Sequence, residues 1–255
     1  MIKFHKYHGT GNDFIIIDNR DGKLLLNQKQ ISLLCHRNFG IGSDGLMLLE
    51  TSNQSAFKMR YYNSDGNEGS MCGNGGRCIV AFAKKLNIIN NEIVFEAVDG
   101  IHHAEISNSE VRLKMNDVHG IEKIDNDFFL NTGSPHYVKW VNQLEDLDVV
   151  QEGRNIRYNN RFKNYGTNVN FIEQLDNQLL IRTYERGVEN ETLSCGTGNV
   201  AAAIVNSIDK ENEYFSVNLK TKGGELNVTF QKTDAVTFKD VWLKGPAEFV
   251  FEGIY

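Results

Sequence analysis

Two cysteines, Cys72 and Cys195, head the same short pattern, Cys72-Gly-Asn-Gly75 and Cys195-Gly-Thr-Gly198. In each copy a polar turn precedes the cysteine and an apolar run follows it, Cys78–Ala83 or Val200–Val205, so each reads as a loop entering a helix. A thiol at a helix N-terminus lies near about half a positive charge, and the amides of the first turn point toward it. Free cysteine titrates near about 8.5, and such a position commonly lowers that into the neutral range, giving a base or a nucleophile. The glycines clear the approach to the amides of Gly73-Asn74 and Gly196-Thr197, which can cradle a carboxylate or phosphate. Two such ends on one carboxylate would stabilise the charge that develops when the neighbouring carbon loses its proton. Taking that proton from one face and returning one to the other inverts a stereocentre. It needs two acid–base groups, one thiolate and one thiol, that titrate as a coupled pair.

The copies lie 123 residues apart, and at that offset Tyr61 matches Tyr184 and Glu68 matches Glu191. Around them the pattern is α+β and rich in hairpins. Asn12–Asp18 reads as a buried strand, and residues 28–38 as a helix with Ile31, Leu34 and Cys35 on its apolar face. Glu92–Val98 and Val111–Met115 alternate as strands do, with turn residues Asp99-Gly100 and Asn108-Ser109 between the runs. In the second half Asn168–Ile172 and Leu179–Tyr184 flank an Asp176-Asn177 turn, and Gly223-Gly224 separates two more strands. The repeat predicts two duplicated domains facing one another.

Composition narrows the partners. The 255 residues carry 27 Lys+Arg against 33 Asp+Glu, a net charge of −6, which gives no broad basic surface for nucleic acid or anionic membrane. A small-molecule partner is expected instead. The longest apolar runs fall far short of the roughly 20 residues that cross a bilayer, and no secretory signal is read at the start, so the expected location is the cytoplasm. Four cysteines in so long a chain are too sparse for a disulfide scaffold. Cys35 and Cys78 read as packing residues on helices.

Seven segments together resemble the diaminopimelate epimerase family: His8-Gly-Thr-Gly-Asn-Asp-Phe14, Gly40-Ile-Gly-Ser-Asp-Gly45, Tyr62-Asn-Ser-Asp-Gly-Asn-Glu68, Met71-Cys-Gly-Asn-Gly-Gly-Arg-Cys78, Gly133-Ser-Pro-His136, Tyr184-Glu-Arg-Gly187 and Ser194-Cys-Gly-Thr-Gly198. The resemblance runs from His8 to Phe251 in the family's order. It implies a homodimeric enzyme, free of pyridoxal phosphate, metal or any other cofactor. Its reaction would interconvert LL- and meso-2,6-diaminopimelate on the route to lysine and peptidoglycan. It implies an α+β fold of two pseudo-symmetric domains, each a curled mixed or antiparallel, barrel-like sheet around a central helix, with substrate in the cleft between them. The domains would be residues 1–114 with 248–255, and 115–247. Carried over by position, Cys72 and Cys195 match the catalytic bases. Gly73, Asn74, Gly196 and Thr197 match the residues that hold the reacting carboxylate. Asn12, Asn63, Asn168, Glu185 and Arg186 match those that hold the amino groups and the distal carboxylate. His136 and Glu185 match groups that assist catalysis. Arg186 suits a two-toothed grip on a carboxylate, and asparagines offer a zwitterion both donor and acceptor. This chain departs from the family pattern at Ser134, usually asparagine; at Gly45, where some members have glutamine; and at Phe251, where the best-known members have a tyrosine tied to dimer formation.

Three other readings compete. Gly196–Ala201 formally fits a dinucleotide fingerprint, but the preceding Glu189–Ser194 is polar where a Rossmann turn follows an apolar strand. Cys72 and Cys78 lack zinc-ligand spacing, and His102-His103 belongs to a hairpin without a matching cysteine pair. A proline racemase-like enzyme would share the two cysteines, yet would have no use for Asn63, Asn168 and Arg186 at a second zwitterionic end.

Overall fold

The computed structural model describes residues 1–69 and 71–255. They form two compact units, Met1–Leu113 with Gly245–Tyr255, and Lys114–Lys244. In the first unit the hairpin Lys3–Gly9/Asn12–Asp18 opens the sheet. Its turn residues Thr10 and Gly11 both take positive φ, 50° and 82°, the twist that a two-residue hairpin turn requires. Asn12–Asp18 runs parallel to Gly45–Glu50, which pairs antiparallel with Lys58–Asn63. That strand meets Glu92–Ala97 in parallel, and Gly100–Ser107 and Glu110–Lys114 follow antiparallel. Glu248–Ile254 pairs on the outer side of Lys3–Gly9.

Both parallel crossovers carry a helix, as parallel pairing demands. Helix α1, Gln28–Cys35, is closed at its start by a capping box of Asn27 and Gln30. It ends at Cys35, short of the expected residue 38, because the His36 ring Nδ1 accepts the amides of Asn38 and Phe39, both at 3.2 Å. Gly40 then folds back onto the last turn, where a Cβ would overlap the Leu33 carbonyl. Helix α2, Gly73–Lys85, is the central one and packs on the strands Lys3–Gly9, Asn12–Asp18, Gly45–Glu50, Gly100–Ser107 and Glu248–Ile254. The unbroken apolar run Phe14–Ile17 follows from this layering. Ile15 and Ile17 pack in the layer with Ile31, Leu34 and Cys35 of α1, while Phe14 lies against Gly75 of α2.

The second unit repeats the connection. Asp127–Asn131 pairs antiparallel with Pro135–Trp140, which is parallel to Asn168–Leu175; Gln178–Glu185 follows antiparallel. That strand is parallel to Tyr214–Thr221, and Gly224–Lys232 and Thr237–Pro246 continue antiparallel. Ile121–Ile124 covers Asp127–Asn131 as the C-terminal strand covers Lys3–Gly9. Helix α3, Val149–Arg157, is capped by Asp148 and fills the outer layer with Tyr137, Leu144, Phe162, Val169, Phe171 and Tyr184. Helix α4, Gly196–Val205, is the counterpart of α2. The duplication read from the sequence is therefore a duplication of topology in these strands; the short strand Asn190–Thr192, paired with Gln178–Glu185, is matched in the first unit by an isolated bridge between Tyr62 and Glu68.

Two hairpin turns lie one residue earlier than expected: the turn before Gly100–Ser107 is Val98-Asp99 and the turn before Gly224–Lys232 is Lys222-Gly223, with Gly100 and Gly224 already in their strands; Met115 lies just beyond the strand Glu110–Lys114. Cys35 and Cys78 are buried free thiols, as packing residues are. No helix among the described residues is long and apolar enough to cross a membrane.

Phe82 shows how strongly α2 is held. It is buried, with its ring centroid 4.7 Å from His5 and 6.0 Å from Tyr7. Phe82→Ala should cost about 3–5 kcal/mol of unfolding free energy, read as a lower urea midpoint. A midpoint equal to wild type would mean that α2 is not the core of its unit.

Candidate active site

Each cysteine is the N-cap of the central helix of its unit, in extended backbone conformation, with no side-chain cap bond of its own. The first intrahelical bonds are Gly76 N–H to Cys72 O at 2.7 Å and Asn199 N–H to Cys195 O at 2.9 Å. The amides that precede them, Gly73 to Gly75 and Gly196 to Gly198, therefore point out of the helix ends.

In the first unit the hairpin turn delivers Asn12 to Cys72. Asn12 Nδ2 donates to Asp44 Oδ2 at 2.7 Å, which turns its Oδ1 toward Cys72 Sγ at 3.7 Å and Asn74 Nδ2 at 3.3 Å. The Cys72 thiol is thus a donor to Asn12. Asp44 is itself fixed: Arg37 Nη2 bridges Asp44 Oδ1 at 2.7 Å and Asp13 Oδ1 at 2.8 Å. Lys6, buried, reaches Asp13 at 2.7 Å and donates to the Gly42 carbonyl. One turn into α2 the fully buried Arg77 holds the helix start together. It donates to Gly73 O at 3.3 Å, Asn74 Oδ1 at 3.0 Å and Thr10 Oγ1 at 3.3 Å. Burial pushes its pKa down, while favourable interaction with Cys78 and Cys72 opposes that. Asn63 is exposed at its strand end, with its Nδ2 over Gly69.

In the second unit Thr197 is the hub. Its Oγ1 lies 3.6 Å from Cys195 Sγ and 2.9 Å from His136 Nε2, and its carbonyl accepts from Thr132 Oγ1 at 2.8 Å. His136 is wholly buried, and its Nδ1 lies 3.1 Å from Asn170 Nδ2. Burial first, and then the charge of Arg186, lower its pKa to about 3 against the opposing hydrogen bond of Asn170, so the ring is neutral. Asn168 is engaged at both ends of its amide. Its Nδ2 donates to Ser134 Oγ at 2.9 Å and Pro135 O at 3.1 Å, and its Oδ1 accepts the Arg186 amide at 2.9 Å. Glu185 accepts from Thr192 Oγ1 at 2.9 Å, and the exposed Arg186 donates Nη1 to Tyr165 O at 3.1 Å.

The structure thus gathers Asn12, Cys72, Gly73 and Asn74 at one helix start. It gathers His136, Cys195, Gly196 and Thr197 at the other, with Asn168, Glu185 and Arg186 joined around the Gln178–Glu185 strand end. Sequence reasoning missed Arg77, Asp44, Asp13 and Asn170. Asn170 alone left a legible signal, an amide inside the apolar strand Val169–Ile172. The ion-pair partners left none, because a loop brings Asp44 to Asp13.

The Asp13 network sets an acid limit. Burial would raise the Asp13 pKa, but hydrogen bonds from Arg37 and Lys6 and their charges overcome it and hold it at about 2, below the ordinary 3.8. The stabilisation is present above 3.8 and is lost as pH falls toward about 2, because the unfolded chain takes up the proton first; it amounts to about 2 kcal/mol. Asp13→Asn should flatten the fall of stability across that window in acid titrations of urea midpoint. An unchanged slope would assign the acid limb to other groups.

The family model described as diaminopimelate epimerase matches residues 4–119 and 128–250. A diaminopimelate epimerase of Flavobacterium psychrophilum is 51% identical, covering 98% of this chain and 99% of the relative. One from Aquifex aeolicus is 38% identical over 99% of this chain and 97% of the relative. Among solved structures, a PhzF-family phenazine biosynthesis protein of Bacillus anthracis superposes with a TM-score of 0.74 at 13% identity, covering 99% and 98% of the chains. A hydroxyproline epimerase of Agrobacterium vitis does so with a TM-score of 0.73 at 14% identity, covering 99% and 90%. At those identities the likeness is one of fold.

Proposed function

The chain belongs to the diaminopimelate epimerase family, and we propose on that premise that it interconverts LL- and meso-2,6-diaminopimelate by a cofactor-independent two-base reaction. The observation that carries the reading is the pair of equivalent helix starts, each with a cysteine as its N-cap. One sulfur, as thiolate, takes the α-proton, and the other, as thiol, returns a proton to the opposite face of the carbon. The carboxylate beside that carbon gains charge as the proton leaves, and amides of Gly73, Asn74, Gly196 and Thr197 supply the fixed donors that stabilise it. No redox change and no covalent intermediate is involved; the pair of sulfurs gives up one proton and gains one. The distal amino and carboxylate groups fall to Asn12, Asn63, Glu185 and Arg186. Asn168 serves by holding the Arg186 backbone through its 2.9 Å bond.

The reaction is assigned to the cytoplasm, where both thiols stay reduced. The partner is a second copy of the chain. The C-terminal strand supports this by presenting apolar Phe249, Phe251 and Ile254 outward at 44, 45 and 69% exposure. Phe251 stands edge-on to Phe4 with centroids 5.8 Å apart, so the pairing of copies would be apolar there.

Proton NMR of the reduced protein with LL-diaminopimelate in D2O tests the reaction directly. The α-proton signal should fade as the meso isomer accumulates, and Cys72→Ala or Cys195→Ala should abolish both changes. Epimerisation at the wild-type rate in either variant would reject the two-base scheme. Light scattering should return the mass of a dimer; a monomer at assay concentration would remove the second copy.

A further inference from the structure

We propose that Asn170 is a positioning residue for Cys195: by fixing the tautomer of His136 it leaves the Thr197 hydroxyl free to donate to the Cys195 thiolate. The proposal rests on the reading of Cys195 as an acid–base group and adds how its charged form is held.

Asn170 Nδ2 has two hydrogens, and two acceptors face it, Tyr137 O at 3.0 Å and His136 Nδ1 at 3.1 Å. Its orientation is not reversible, because Oδ1 takes the hydroxyl of Thr183 at 3.0 Å and a carbonyl oxygen turned toward Tyr137 O would meet only another acceptor. His136 Nδ1 is therefore the acceptor, and in the neutral ring Nε2 bears the proton. That proton is donated to Thr197 Oγ1 at 2.9 Å. With its oxygen already accepting from the ring, the Thr197 hydroxyl keeps its own hydrogen for Cys195 Sγ, 3.6 Å away. In the other tautomer the same hydroxyl would donate to His136 Nε2 and the thiolate would lose it. Burial keeps the ring neutral, and the positive charge of Arg186 adds to that by opposing an imidazolium.

Packing leaves the relay little freedom. Asn170 and His136 are wholly buried, and a Cβ at position 198 would lie 2.5 Å from Asn170 Oδ1, so glycine there lets the helix start close on the amide. Among the described residues the first unit shows a different contact: Cys72 donates to the carbonyl oxygen of Asn12 at 3.7 Å. The two sulfurs thus sit in opposite hydrogen-bond settings, one against an acceptor and one within reach of a donor.

The test uses the reduced full-length protein without substrate, so it reads the relay even if diaminopimelate proves the wrong ligand. Limiting iodoacetamide near neutral pH labels thiolates, and peptide mass mapping gives the Cys195 rate with Cys72 as control in the same sample. Thr197→Val should slow Cys195 by about tenfold, the worth of one hydrogen bond to a charged group, and Thr197→Ser should restore it. Asn170→Ala should slow Cys195 in the wild-type background and add nothing in the Thr197→Val background, since both act through one hydroxyl. Equal slowing in the two backgrounds, or an unchanged Cys195 rate in Thr197→Val, would overturn the proposal. If Asn170→Ala does not fold, the closely isosteric Asn170→Leu serves in the same two backgrounds, with slowing expected in the wild-type background alone. Equal slowing of Cys195 by Asn170→Leu in both would likewise overturn the proposal.

Discussion

Everything at the two cysteines depends on one constraint: in each unit a sheet is curled around a single helix whose N-terminus carries the thiol. A helix buried on every side has no polar face, and its sequence must supply small or apolar residues throughout. In α4 this is met by Val200-Ala-Ala-Ala-Ile-Val205, all buried. In α2 it is met by Gly75, where a Cβ would lie 3.3 Å from the Met47 sulfur, and by Cys78, Ile79, Val80 and Phe82. Asn74, Arg77 and Asn199 are buried polar exceptions, and the cation Arg77 is tolerable because its donors are spent on the carbonyl and side-chain oxygens that shape the helix start. The groups that bury the helix and the groups that aim its first turn are thus interleaved within one stretch of chain.

The units share their topology and diverge in how they support the thiol. The first relies on charge: Lys6, Asp13, Arg37 and Asp44 form a chain of ion pairs that ends by orienting the Asn12 amide. Such a chain costs desolvation, offset only while every member is paired, and so it is sensitive to acid. The second relies on neutral hydrogen bonds through Asn170, His136 and Thr197, which burial strengthens without any charge to solvate. The two thiols therefore sit in different hydrogen-bond settings. A duplicated scaffold with two identical supports would have had no such distinction.

Legibility followed range along the chain. The strand Asn12–Asp18 and the two helix starts were readable because their signals are local: an apolar run, a glycine after a cysteine, a repeat at fixed offset. The α+β class was legible in the hairpin-rich pattern, the curled sheet about a central helix came through the resemblance, and the topology bears both out. Helix α1 was read too long because its end is set by a histidine ring nitrogen and a glycine folding back on it, neither of which shows in periodicity. The supports of the thiols were not readable at all. Asp13 and Asp44 are 31 residues apart, and Asn170 and His136 are 34 apart, so only the fold makes them neighbours.

The departures from the family pattern look different once their surroundings are known. At position 45 a side chain has nowhere to go: a Cβ would lie 2.5 Å from the Tyr61 ring and 2.7 Å from the Tyr62 carbonyl. Glycine here is a consequence of Tyr61 filling that space, and it removes from position 45 any reach toward a ligand. Ser134 is likewise engaged, its hydroxyl accepting from Asn168 Nδ2, whose Oδ1 carries the Arg186 amide. The serine therefore acts on the loop that bears Arg186, and a longer residue in its place would have to find room beside a buried asparagine that already has its partners. Neither residue makes a side-chain contact with the cysteines: glycine at 45 has no side chain, and the Ser134 hydroxyl is engaged with Asn168.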